Sequence, residues 1–127
     1  GHSALAIALA DLGLFEEAIP EAGLAVNLLQ QHPNALATLA SIQAQSGNRG
    51  EARGMLDTLR RQAGTTALLP SALVYANLAE MDSAFTLLHR VPSWTPGSRD
   101  WLRNSPIWRP VREDPRWAEL LRYTGMS

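Results

Sequence analysis

The chain has no cysteine, so neither a disulfide framework nor a thiolate metal site can form, and the redox compartment stays open. It has no lysine either: all eleven basic residues are arginine. That removes mechanisms that need a lysine, such as a Walker phosphate loop or a Schiff base. No apolar run approaches the roughly 20 residues a membrane-spanning helix needs. Net charge is also nearly absent, at −1, which offers little counterion-release affinity for nucleic acid.

What is present suits a single ordinary domain. The 127 residues are 46% hydrophobic, enough for one core, and a cytoplasmic protein is expected. Gly1-His2-Ser3 reads as a tag remnant. Ala4 to Ala10 begins in mid-helix without a cap, so the sequence is expected to be a fragment of a longer chain.

An internal repeat organises the first two thirds. Sliding the sequence by 34 pairs Leu5 with Leu39, Ala6 with Ala40, Ala10 with Ala44, Gly13 with Gly47, Glu17 with Glu51 and Ala18 with Ala52. A further shift of 32 pairs Ala40 with Ala72, Ala44 with Ala76, Ala52 with Ala84 and Leu56 with Leu88. A period of this length, with small residues recurring, is that of a helix-turn-helix unit.

Small residues in a first helix followed by Gly13-Leu-Phe-Glu-Glu-Ala18 resemble the tetratricopeptide repeat, whose antiparallel helix pairs stack into a right-handed superhelix. Gly47-Asn-Arg-Gly-Glu-Ala52 matches with Arg49 in place of the aromatic, and Ala79-Glu-Met-Asp-Ser-Ala84 with Ala79 in place of the glycine. The resemblance implies an all-α fold: three helix pairs over 4–91, a Pro/Trp-rich capping segment over 92–127 and a terminal helix within it. Helices are expected at about 4–12 and 15–31, 34–46 and 50–62, and 68–79 and 81–91, with Pro33 and Asn34 opening the second pair. Pro20 interrupts the second helix, where an interior proline costs roughly 3 kcal/mol; a kink is expected there.

The tail differs in kind. It holds five of the eight prolines and all four tryptophans, and Thr95-Pro96, Ser105-Pro106 and Asp114-Pro115 each set a capping side chain before a proline. Asp114 is expected to cap a helix from about Pro115 to Tyr123 that stops near Gly125. The run from Ser105 to Gly125 is similar to C-terminal segments of large bacterial signalling proteins, in which such repeats follow a winged-helix, adenylate cyclase or kinase domain. That resemblance implies a regulatory or interaction module without its effector. Trp108, Asp114, Pro115 and Trp117 fall in the matched segment and are expected to cap the last helical face. Trp94 and Trp101 lie outside it, in a Pro/Gly-rich loop, and are candidates for touching a ligand or partner.

Charge is uneven: residues 1–33 carry −4, residues 34–89 balance, and residues 90–127 carry +3. Acids are interspersed with the tail arginines, so a solvated face is preferred to nucleic-acid binding. No histidine, aspartate and glutamate cluster has metal-ligand spacing and no serine sits in a nucleophile elbow, so no enzyme, cofactor or metal is expected. In the repeat family the first helix of each pair lines a concave groove. The residues assigned to that groove are Ile7, Asn34, Ser41, Leu73 and Asn77, and the expected partner is a protein or peptide segment, including the protein's own upstream domain. A stand-alone adaptor and a small-molecule sensor using Trp94 and Trp101 are the alternatives. An uncapped first repeat also predicts homodimerisation through residues 4–31.

Overall fold

The computed structural model describes residues 2–30, 32–61 and 67–125. Among them are nine α-helices and no strand. Six form three successive hairpins: α1 (His2–Asp11) with α2 (Phe15–Leu28), α3 (Pro33–Gln45) with α4 (Arg49–Arg61), and α5 (Leu68–Asn77) with α6 (Met81–Leu88). Within the stack α3 packs on α1, α2 and α5, and α4 touches α5, so each hairpin rests on the next. The chain is therefore all-helical and built of repeated pairs.

The recurrent alanines explain the stacking. Ala6, Ala40 and Ala72, then Ala18, Ala52 and Ala84, are each fully buried at equivalent places. Ala10, Ala44 and Ala76 are buried one helical turn further on. A methyl group at each crossing lets two helix axes approach where a larger side chain would hold them apart.

The hairpin turns repeat in atomic detail. Leu14 N–H bonds the Leu9 carbonyl at 2.9 Å, Asn48 N–H that of Gln43 at 2.8 Å, and Glu80 N–H that of Tyr75 at 2.9 Å. Each closes the end of a first helix around a left-handed residue, as the Schellman motif requires. That residue is Gly13 at φ 79°, Gly47 at φ 95° and Ala79 at φ 63°. Alanine pays for this conformation in steric strain, roughly 1–2 kcal/mol relative to glycine, so the third turn is held by the packing around it.

Several expectations change. The helix α1 takes in His2 and Ser3. Pro20 lies inside α2, which starts at Phe15 and is helical to Leu28; Pro20 is exposed, and the carbonyl it leaves unpaired, that of Glu16, belongs to an exposed residue that water can reach. α2 therefore stops short of the expected residue 31, which, like residue 62 at the expected end of α4 and Gly1, lies outside the described residues.

The tail is helical too, as short pieces: α7 (Pro96–Asn104), a 3-10 turn (Pro106–Trp108), α8 (Arg109–Arg112) and α9 (Trp117–Thr124). Thr95 caps α7 in a reciprocal pair with Ser98, its Oγ1 accepting from Ser98 N–H at 3.1 Å. Ser105 Oγ accepts from Ile107 N–H, and Asp114 Oδ1 from Arg116 N–H at 2.9 Å. Asp114 thus ties the turn before α9 rather than capping a helix from Pro115, because Pro115 and Arg116 are taken up in that turn. Trp101 lies in α7, not in a loop, while Gly125 ends α9 at φ 73° as expected.

Candidate functional site

The tail does more than cover the last pair. Its 3-10 turn packs on both α1 and α5, the first helices of the first and third pairs, and α8 also rests on α5. Part of the face assigned to a partner groove is therefore filled by the chain itself. Ile107, Val111 and Leu102 are buried there, and Trp108 is completely enclosed. Trp101 stacks edge-on against Trp108, with ring centroids 5.4 Å apart and planes at 90°.

Two polar ties join this part of the tail to the stack, and a third bond braces the tail internally. Asn77, at the end of α5, donates from Nδ2 to the Leu73 carbonyl at 3.0 Å and to the Ile107 carbonyl at 3.2 Å. Its Oδ1 accepts from Gln45 Nε2 of α3 at 2.9 Å, so one amide joins α3, α5 and the tail. Arg109 meets Asp11 of α1 at 2.7 Å, and Asp11 holds the Arg109 guanidinium above its ordinary pKa. Arg112, whose pKa is lowered by burial, donates to the Leu102 carbonyl at 2.8 Å.

Between tail and stack a cleft of about 520 Å³ stays open. Ile7, Ala10, Ala76, Met81, Ile107 and Pro110 give it an apolar lining, and Asp11, Gln45, Asn77, Arg109 and Glu113 supply its polar groups. This is the mixture of apolar surface and few oriented polar groups that fits a short apolar segment or small molecule. A second, shallower space of about 400 Å³ lies between Ile7, Asn34, Thr38, Leu69, Ser98 and Trp101.

The residues assigned to the groove thus separate. Ile7 reaches both spaces, Asn77 lines the first and Asn34 the second. Ser41 and Leu73 are corrected: both are fully buried and have no surface to offer a partner. They belong to α3 and α5, which pack against each other, a contact that the helix face alone did not reveal. Trp94 and Trp101 are not paired. Trp101 packs on Trp108 and borders the second space, whereas Trp94 packs on the core with its Nε1 buried and unpartnered.

The cap has an unforeseen centre in Arg116. Its guanidinium grips both oxygens of Asp114 at 3.0 and 3.1 Å, reaches Asp82 of α6 at 2.6 Å, and lies 4.9 Å from the centre of the Phe85 ring. Hydrogen bonds from the Arg116 side chain and backbone hold the Asp114 carboxyl below its ordinary pKa, and Asp114 and Asp82 raise that of Arg116. Tyr123 adds a bond from its hydroxyl to the His89 carbonyl at 2.8 Å. Trp117 and Leu121 are partly buried against the core and Leu120 fully, while Pro115 stays exposed and acts through its fixed backbone.

His32 Nδ1 accepts from Asn34 N–H at 3.1 Å and so serves as the cap of α3. Among the described residues no group of acids and histidines is placed to hold a metal ion, and no helix is long and apolar enough to cross a membrane. Comparison with family models, with curated proteins and with solved structures finds no match to this chain.

Proposed function

We propose that this chain is a protein-interaction or regulatory module of tetratricopeptide-like pairs, the C-terminal part of a larger bacterial signalling or transcriptional regulator, without catalytic activity of its own. The cleft between tail and stack carries the reading. Its lining of aliphatic groups, two amides and one ion pair is suited to holding an extended or helical segment by shape. The three matching turns and the buried alanines support the repeat assignment, and the Asp114-Pro115-Arg116-Trp117 clasp supports the resemblance of the tail.

The test is selection of displayed peptides on the wild-type protein, with counter-selection on Glu113→Trp, which plugs the rim from an exposed position. Apolar peptides that bind the wild type and lose about tenfold in affinity or more on Glu113→Trp are expected. Failure to enrich any peptide, or equal binding to both proteins, removes the cleft as the docking site. The reading frame upstream of Ala4 separates fragment from stand-alone adaptor: a start codon directly before it sinks the larger-regulator reading.

A further inference from the structure

The first helix pair carries an apolar surface that the other pairs lack. Leu5, Leu12, Leu14, Leu24, Leu28 and Leu29 are all exposed, Leu12 by 73% and Leu28 by 65%, and every other described leucine is buried or half-buried. Leu5 and Leu12 each recur once, as Leu39 and Leu78, but the repeat does not call for the others. At the positions equivalent to Leu12, Leu14 and Leu24 the second pair has Ser46, Asn48 and Thr58, and in the third pair Glu80 and Arg90 replace Leu14 and Leu24.

Charge accompanies the leucines. Asp11, Glu16, Glu17 and Glu21 are the only charged acid or arginine residues before Arg49. On α2, Glu17, Glu21, Leu24 and Leu28 follow at spacings that place them on one helical face, acids toward its start and leucines toward its end. Among the described residues, the one other large exposed hydrophobic is Tyr123. Among the described residues a second copy of the chain has no comparable apolar surface to offer except this same face, and pairing the face with itself gives Glu17 no cation: it meets acids when the two α2 helices run parallel and leucines when they run antiparallel.

We infer that the outer face of α1 and α2 docks an amphipathic helix of another protein, one with a leucine-sized apolar stripe and arginine or lysine at the end that meets Glu17 and Glu21. This surface is separate from the cleft, and its occupant does not depend on what the cleft holds.

Three synthetic helical peptides test it by fluorescence anisotropy at low salt: one with a leucine stripe and terminal arginines, one with glutamates for the arginines, and one with serines for the leucines. The first should bind saturably and about tenfold tighter than either other. The double variant Leu24→Ser with Leu28→Ser should lose the leucine preference, and Glu17→Arg with Glu21→Arg should invert the charge preference. Glu17, Leu24 and Leu28 are exposed and Glu21 is half-buried beside His2 Nδ1 at 2.6 Å, so circular dichroism should show both variants folded, and Asp57→Ala, an exposed residue of α4 outside both surfaces, should bind all three peptides as the wild type does. Equal binding of the arginine and glutamate peptides, or no binding of the first, overturns the proposal. So does a dimer in light scattering that Leu24→Ser with Leu28→Ser dissolves, which would assign the face to a second copy.

Discussion

The first and third helix pairs are copies of one unit, yet they meet their surroundings in opposite ways. The first keeps leucines in water, has only acids among its charges and turns on glycine. The third has Ser71, Glu80 and Arg90 where the first has Leu5, Leu14 and Leu24, turns on a strained alanine and lies under the tail. Position 28 makes the contrast plain: exposed Leu28 corresponds to Trp94, which is packed on the core. The repeat thus sets the crossing of the helices and leaves open what covers each end; the tail covers the third pair but meets the first only along one side of α1, leaving its leucines bare.

The largest expected break in this contrast comes from Trp108→Ala. Emptying a fully enclosed site of that size should cost about 3–5 kcal/mol, read as a fall in the denaturant midpoint, and should leave the third pair as bare as the first. A loss below 1 kcal/mol would mean that the tail does not hold the stack. Next in size is Asp114→Asn, which weakens the grip of Arg116 and should cost about 1–2 kcal/mol.

The same site predicts a pH dependence. The carboxyl of Asp114 lies below its ordinary 3.8 in the folded chain, so its contribution is complete above that value and fades as pH falls through the lower, folded one. Wild-type stability should therefore drop more steeply than that of Asp114→Asn below about pH 4, and parallel acid curves would count against the clasp. Smallest, and of opposite sign, is Ala79→Gly. It makes the third turn like the first and should raise stability by about 0.5–1 kcal/mol, measurable by thermal denaturation; a decrease would show that the alanine methyl matters more than the backbone strain.

Much of the stack was legible because its signals lie close together in the chain. Alanines at one spacing and a turn residue at another place six helices to within a few residues, and serine, threonine or aspartate before proline marks the turns of the tail. The cleft was not legible, since it arises where the tail crosses distant helices. Arg109 and Arg116 look like solvated arginines among acids, and their partners Asp11 and Asp82 stand 98 and 34 residues away. Asp114 two residues before Arg116 was the one local hint. Ser41 and Leu73 were misplaced for a related reason: a helix has several faces, and spacing alone does not say which of them a neighbour will cover.

The ion pair between Asp11 and Arg109 alters how the whole molecule should come apart. In an open array each unit leans only on its neighbours, so the ends are free to fray. Closing a loop of 98 residues costs about 1.5 kcal/mol more in chain entropy than closing the 19 residues between His2 and Glu21. That tie is favoured only when the intervening hairpins already hold its two sides together. With the 3-10 turn also packed on α1, the tail and the first helix are joined across the stack, and their release on melting should be coupled.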